Sequence, residues 1–265
     1  MRTTLTSAAS EVKPVSRAPE GMAGLAKGMA ILEAFGPGQT SLTVADAARL
    51  SGATRAAARR CLLTLASLGY LIQDGRLFRP LPRLVRLATN AIGTVPLIEA
   101  ARPVLAAACA QTGESVSLAV LDRGQALFVA RAEARHIVST GVRIGASLPL
   151  WCSATGRVLL ASLPLPEAQL LAGEQARPQR TSRTLTDLPA IMAAIGEVRA
   201  EDVAFSDEEL ELGMRSMAVA VRDAQGHTLA AMSLSTSSAR LSIDGMRQTL
   251  LPILRRHAAM LERAL

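Results

Sequence analysis

The chain has 265 residues, 49% hydrophobic but only 2% aromatic, so any hydrophobic core is built mainly from aliphatic side chains. It has no run of about 18 apolar residues, which excludes a membrane-spanning helix. Its three cysteines lie far apart without a Cys-x-x-Cys pair, which indicates reduced thiols in a cytoplasmic protein rather than a disulfide framework.

The positive charge is concentrated in the first third of the chain. Residues 1–90 contain 12 Lys and Arg against 5 Asp and Glu, whereas residues 91–265 contain 17 of each. A basic segment joined to a neutral one predicts a polyanion-binding module with a partner domain. A basic surface kept for solubility is the alternative, although it would not require this segregation.

Three predicted helices follow a polar lead-in, residues 1–22, that we expect to be disordered. The first spans 25–35 and stops at Gly-Pro-Gly. The second begins at Thr43, where Asp46 completes a capping-box pattern, and ends near Gly52. The third begins at Thr54 after a short turn. Two helices joined by a tight glycine-containing turn predict a helix-turn-helix for DNA.

Basic side chains stand at the start of the third helix and beside a predicted hairpin. Arg55 and Arg59 share a face, and the helix dipole disfavours cations there, so these positions indicate a role outside the fold. The Asp-Gly pair at 74–75 predicts a hairpin that joins 70–73 to 76–79 as a basic wing. A solvated basic helix with an incidental hairpin is the alternative. The candidate DNA contacts are Thr43, Thr54, Arg55, Ala56, Arg59, Arg60, Arg76 and Arg79.

The rest of the chain predicts a linker helix, 81–93, and a second domain of mixed helices and strands, 94–265. Residues 23–80 then form the winged helix-turn-helix domain. Strands enclosed by helices indicate an α/β or α+β arrangement with one core. The predicted elements are a helix over 95–114 with Pro103 inside it, strands at 115–121, 126–133 and 136–145, helices at 153–163 and 187–201, a hairpin over 217–235, and a helix over 243–265.

Several segments together resemble the IclR family of bacterial transcriptional regulators. They are "GLAKGMAILEAF", "LTVADAARLSGATRAAARRCLLTLASLGYL", "GESVSLAVL", "RIGASLPLWCSATGRVLLASLP" and "DEELELGMRSMAVAVRDAQGHTLAAMSLST". Two further stretches, "RHIVSTGVRIGASLP" and "PQRTSRTLTD", look most like regulators of aromatic-acid breakdown of the PcaR/PobR type. The resemblance implies an α+β protein with a winged helix-turn-helix domain and a GAF-like effector-binding domain. It also implies dimers often paired into tetramers, and control by a small catabolite acid without a cofactor.

The resemblance also implies a set of effector-binding positions, and physical reasoning from the residues adds one further position to that set. The only tryptophan, Trp151, stands beside the first of these motifs and is expected to wall an aromatic ring, unless it is plain core. The alternative for Thr155 is an ordinary helix cap. The alternative for Ser233 and Ser235 is that both face solvent on an edge strand. The carried-over positions are Ala154, Thr155, Ser206, Asp207, Ser216, Ser233 and Ser235.

Charged residues near these motifs leave alternatives open. A carboxylate at Asp207 would repel an anionic effector, so it is expected either to pair with Arg143 or Arg215 or to accept from a ligand hydroxyl. Arg131 and Arg143 are possible partners for a ligand carboxylate. Where many family members read Gly-Tyr before the acidic cluster, this chain has Asp202 and then a valine.

Other classes of protein lack support in the sequence. There is no GxSxG, HExxH or P-loop pattern, the three histidines are isolated, and His257 reads as a helix-surface residue, so an enzyme is not expected. A metal site using Cys152 has no ligand spacing. A neutral C-terminal part argues against a DNA-compacting protein. The function predicted is a ligand-responsive regulator of catabolic genes that senses an aromatic or β-ketoadipate-pathway acid. The alternative is a regulator of another route that senses glyoxylate or pyruvate.

Overall fold

A computed structural model describes residues 21–36, 38–93, 95–134, 142–174 and 176–265. The chain divides into two compact units, Met1–Ile92 and Gly93–Leu265. Of the expected lead-in, residues 1–20 lie outside the described residues. So does most of the strand predicted at 136–145, and its described part, 142–145, is not a strand.

The N-terminal unit contains three helices, a two-stranded antiparallel sheet and a fourth helix. Its core is formed by aliphatic side chains from all three helices and by Phe78 of the sheet. Leu62 of the third helix is fully buried, whereas Leu68 at the C-terminal end of that helix is 50% exposed. The elements are α1 (Ala23–Glu33), α2 (Val44–Ser51), α3 (Arg55–Ser67), β1 (Leu71–Asp74), β2 (Leu77–Pro80) and α4 (Arg83–Ile92).

The β1–β2 hairpin turns one residue later than its sequence predicts. Asp74 pairs with Leu77, so the two turn residues are Gly75 and Arg76 rather than Asp74 and Gly75. An Asp-Gly turn of type I′ needs positive φ at both positions, and only Gly75 adopts it, with φ +58°. A glycine at the first turn position is the preference of type II′, and this places Arg76 at the tip of the wing.

The C-terminal unit is built on a six-stranded antiparallel sheet with strand order β5-β4-β3-β8-β7-β6. Helices α6 and α8 pack on one face, where alanines of the strands contact them, and α5 and α10 cover the other. The elements are α5 (Pro96–Thr112), β3 (Ser115–Asp122), β4 (Gln125–Ala132), β5 (Ser147–Pro149), α6 (Ala154–Ala161), α7 (Leu165–Glu174), α8 (Leu188–Glu201), β6 (Ala204–Asp207), β7 (Met214–Arg222), β8 (Thr228–Ser237), α9 (Ile243–Gly245), a π-helical turn (Met246–Leu250) and α10 (Leu251–Glu262).

This architecture confirms the predicted α+β fold class, with corrections at particular elements. The strands β5 and β6 and the helix α7 were not predicted. His257 is not a surface residue, because it is only 5% exposed and its Nδ1 lies 3.0 Å from the carbonyl oxygen of Ile253. Within the described residues, no helix is long and apolar enough to cross a membrane.

Candidate DNA-binding and effector sites

The helix-turn-helix is shaped by two threonine caps. Thr43 accepts from the Asp46 amide at 3.2 Å, and the Asp46 carboxylate accepts from the Thr43 amide at 3.1 Å, which completes the capping box. The Thr43 hydroxyl hydrogen bond lowers the pKa of Asp46 below its ordinary value. Gly52 ends α2 with φ +65°, and Thr54 caps α3 by accepting from the Ala57 amide. Both threonine hydroxyls therefore already serve the fold.

The arginines of α3 face solvent, whereas the opposite side of the helix is anchored in the core by Leu62. Arg55, Arg59 and Arg60 are exposed, as is Ala56 between them. In the part of the chain that the structure describes, the three guanidinium groups make no hydrogen bond or ion pair. In a helix-turn-helix, the second helix of the motif is the recognition helix, which here is α3. An exposed basic cluster is what such a helix presents to DNA.

The two arginines of the wing differ in their surroundings. Arg76 is exposed at the turn and makes no side-chain ion pair with any described residue. Arg79 lies on β2, where its Nη2 is 3.3 Å from Asp74 Oδ2, with both side chains more than half exposed. Arg79 therefore carries a partly neutralised charge.

A partly open cavity lies between the sheet and the start of α6. Four of the predicted effector positions line it together: Thr155, Ser216, Ser233 and Ser235. The remaining lining residues are Phe128, Arg131, Val142, Leu148, Ser153, Leu210 and Met214.

The sheet face that forms the floor of this cavity carries two cross-strand rows, of which only Ser235 and Ser216 in the first row and Arg131 and Ser233 in the second line the cavity. One row pairs Ser115, Ser235, Ser216 and Ser206 across β3, β8, β7 and β6. Directly opposite residues on neighbouring strands point to the same face, so these hydroxyls lie side by side. The next row runs through Arg131, Ser117, Ser233, Ala218 and Ala204. This floor combines hydrogen-bonding groups with one guanidinium.

An irregularity in β4 brings an aromatic side chain into the same cavity. The register of β3 with β4 shifts between Leu118 and Ala119, so Ala119 pairs with Phe128 while Leu118 pairs with Ala130. Without the shift, Phe128 and Arg131, three residues apart, would point to opposite faces. The shift places an apolar ring and a cation in one lining.

The start of α6 approaches the preceding loop closely. Ser153 caps the helix by accepting from the Gly156 amide at 3.0 Å and donates to the carbonyl oxygen of Pro149 at 2.6 Å. A Cβ atom at Gly156 would stand 2.3 Å from the Leu150 Cα and 2.4 Å from its carbonyl oxygen. Glycine is therefore required at this position by backbone packing.

Four of the predicted effector positions do not line the cavity. Trp151 and Ala154 are each 1% exposed within the core. Ser206 is buried and donates to the carbonyl oxygen of Cys152 at 3.1 Å. Asp207 accepts from Arg215 Nε at 2.5 Å and from Arg183 Nη1 at 2.8 Å, so the pairing with Arg215 is the alternative that the geometry favours.

A buried ion pair, not anticipated from the sequence, joins α6 to the loop after β6 that carries Glu209. Arg157 donates to both carboxylate oxygens of Glu209 at 2.6 and 2.7 Å, and the two side chains are 5% and 8% exposed. Arg157 also donates to the carbonyl oxygens of Trp151 and Phe205 at 3.2 and 3.1 Å. The pair fixes the loop that carries Leu210 against the cavity.

Asp202 occupies a position that favours glycine. It caps the C-terminus of α8 with φ +56°, in the left-handed region that aspartate tolerates better than most residues. Its carboxylate pairs with Arg222 of β7. Val203 after it is buried, so the departure from the family pattern is accommodated by an ion pair and a core contact.

The thiols and histidines do not assemble a metal site among the described residues, where no group of three or more His, Cys, Asp or Glu is close enough to hold an ion. Cys152 is fully buried, and burial raises the pKa of its thiol to about 12. A protonated core thiol is a poor ligand and a poor nucleophile.

Comparison with known proteins agrees with the division of the chain into two units. The model of the IclR helix-turn-helix domain matches residues 24–75, and that of the bacterial transcriptional regulator IclR C-terminal region matches residues 89–263. The Pca regulon regulatory protein of Pseudomonas putida is 36% identical over 249 residues, which cover 94% of this chain and 86% of the relative. The p-hydroxybenzoate hydroxylase transcriptional activator of Acinetobacter baylyi is 36% identical over 248 residues, covering 91% of each chain.

A solved structure is similar over the same length. An IclR homologue from Microbacterium hydrocarbonoxydans, complexed with 4-hydroxybenzoate, superposes with a TM-score of 0.76 at 25% sequence identity. The match covers 91% of this chain and 98% of that one.

Proposed function

This chain belongs to the IclR family of bacterial transcriptional regulators, and on that premise we propose that it controls catabolic genes by binding operator DNA in response to an aromatic or β-ketoadipate-pathway acid. The observation that carries the choice of effector is the cavity of the C-terminal unit. Its floor offers hydroxyl groups, its wall offers Phe128, and Arg131 supplies a cation. These are the groups that a hydroxylated aromatic acid requires.

The relatives support the same class of effector. One is named for the Pca regulon, another for activating p-hydroxybenzoate hydroxylase, and the similar solved structure holds 4-hydroxybenzoate. An acid of the β-ketoadipate route is therefore the effector that we propose. A small acid such as glyoxylate or pyruvate would leave most of the apolar wall without a partner.

The DNA-binding part of the proposal concerns α3 and the wing. Two copies of the chain, as a homodimer or within a homotetramer, would place their α3 helices in successive major grooves of a pseudo-palindromic operator. Arg55, Arg59 and Arg60 would reach base edges and phosphates, and Arg76 would contact the backbone. We assign the protein to the cytoplasm and propose no enzymatic activity.

The proposal is tested by selecting genomic fragments that the full-length protein retains and measuring its affinity for them with and without candidate acids. The panel sets 4-hydroxybenzoate, protocatechuate and β-ketoadipate against benzoate, glyoxylate and pyruvate. An effector at about 100 times its dissociation constant should also stabilise the protein by about 2.7 kcal/mol in a thermal-shift assay. Ser233→Ala, which removes a lining hydroxyl without adding bulk, should weaken the response without altering affinity for DNA alone.

Two outcomes would contradict the proposal. A response confined to glyoxylate or pyruvate would remove the aromatic assignment and leave the regulator. If the protein retained all fragments with equal affinity, the proposal that it recognises a specific operator would be wrong.

A further inference from the structure

We infer that Arg131 recognises the carboxylate of the effector and that Glu133 competes with that carboxylate for the same guanidinium. The inference rests on the proposed function, because it describes how the same cavity selects an acid. It makes Arg131 a specificity-determining residue and Glu133, the first residue after β4, an internal competitor.

The position of Arg131 is set by the sheet. The residue lies on β4 and lines the cavity, and its side chain is only 6% exposed. Its Nη1 donates to the hydroxyl oxygen of Ser117 at 3.0 Å, and Ser117, itself 2% exposed, stands in the row between Arg131 and Ser233. The guanidinium is therefore held beside the lining hydroxyls rather than extended into solvent.

The electrostatics of this position favour an incoming anion. Burial lowers the pKa of the Arg131 guanidinium below its ordinary value, and the Glu133 carboxylate opposes that shift. Glu133 Oε1 is 3.7 Å from Nη2, beyond hydrogen-bond distance, and its side chain is 56% exposed, so water screens the pair. A ligand carboxylate inside the cavity can instead form a charge-assisted hydrogen bond of about 2.7–2.9 Å.

The rest of the lining then fixes how an aromatic acid is oriented. With its carboxylate at Arg131, the ring contacts Phe128, and a ring hydroxyl can meet the serine hydroxyls of β7 and β8. A neutral amide of the same shape keeps the ring and hydroxyl contacts and one acceptor oxygen, and it loses the negative charge and the second acceptor oxygen. The comparison of an acid with its amide therefore isolates the role of Arg131.

Isothermal titration calorimetry on the full-length protein tests this with 4-hydroxybenzoate and the neutral 4-hydroxybenzamide. The wild-type protein should prefer the acid. In Arg131→Met, affinity for the acid should fall about 10- to 100-fold while affinity for the amide falls much less, because the amide offers the guanidinium a neutral acceptor rather than a charge. In Glu133→Gln, affinity for the acid should rise about two- to fivefold, with little change for the amide. Folding is checked by Trp151 fluorescence and by affinity for the selected DNA.

Persistence of the acid preference in a folded Arg131→Met protein would overturn the inference. If that variant does not fold, Glu133→Gln decides, since an unchanged affinity for the acid would show that Glu133 does not compete. Failure of the proposed function has a different signature. A wild-type protein that binds neither compound, and whose DNA affinity no acid of the panel alters, loses the proposed effector class and with it this inference.

Discussion

In the N-terminal unit, the arginines of α3 are exposed and bond to nothing else in the described chain, whereas in the C-terminal unit Arg157 is 5% exposed and fully engaged with Glu209 and two carbonyl oxygens. The same residue type therefore has two uses. An exposed arginine contributes little to stability and is available to phosphates and bases. Burying an arginine costs desolvation free energy. Removing either member of a buried ion pair leaves an uncompensated charge, which lowers the free energy of unfolding strongly.

The largest effect should follow from breaking the buried pair. Arg157→Met leaves Glu209 buried and uncompensated, which should lower the free energy of unfolding of the C-terminal unit by about 3–5 kcal/mol. Urea unfolding followed by the fluorescence of Trp151, the only tryptophan, reports on this unit alone.

Arg222→Met is the matched control for that variant. Its partner Asp202 is 55% exposed and Arg222 itself 36%, so the loss should be at most about 1 kcal/mol. Equal losses in the two variants would mean that burial does not separate the two kinds of arginine.

A somewhat smaller effect is expected at the start of α6. Gly156→Ala forces a Cβ atom onto the backbone of Leu150, which should destabilise the unit by about 3 kcal/mol. Gly196→Ala within α8 meets no atom within 4 Å and should be neutral or stabilise by up to about 1 kcal/mol. The same fluorescence assay compares them, and a stable Gly156→Ala protein would contradict the close approach.

In the N-terminal unit the effect should move from stability to DNA binding. Arg59→Ala should weaken operator binding by about 1–3 kcal/mol and relax specificity, while the free energy of unfolding changes by less than about 0.5 kcal/mol. Arg102→Ala, an exposed arginine of α5 that pairs with Glu99, serves as the control and should change neither. Fluorescence anisotropy on matched and mismatched operators measures both quantities, and a uniform loss on all sequences would exclude base reading by Arg59.

The smallest effect is expected at the wing. Arg76→Ala should reduce the slope of log affinity against log salt by about one. Arg79→Ala should reduce it less, because Asp74 already lies 3.3 Å from that guanidinium. Affinity measured over a salt series distinguishes them, and identical slopes would show that the neighbouring carboxylate is irrelevant on DNA.

The N-terminal unit was largely predictable because its signals are local. The capping box at Thr43 and the short turn after Gly52 each lie within a few residues and act as expected. The hairpin was predicted at the right place, but its turn was misplaced by one residue because the Asp-Gly pattern does not reveal which residue adopts positive φ.

The candidate effector site was only half predictable because its geometry depends on pairings between distant strands. Ser216 and Ser233 were identified by the family motifs, and their strands bring them together. Phe128 could not be inferred, since the register shift in β4 that turns it inward has no sequence signal. Trp151 lies in the core, which is the alternative that the sequence left open, because an aromatic residue beside a binding motif packs in a core as readily as in a pocket. The strands β5 and β6 were too short to show a period.

The serine and alanine rows on the cavity face have a consequence for how this protein changes over time. The small side chains of the floor set the volume that is open to a ligand, and that volume limits which molecules fit. Exchanging one serine for threonine, valine or alanine therefore alters the volume by single atoms. The neighbouring residues of the same strand, such as Met232 and Leu234 on β8, point to the opposite face and hold the core there. Because side chains alternate along each strand, the residues that line the cavity can be substituted while the core residues on the opposite face are kept. The protein can therefore acquire new effectors without a change of fold.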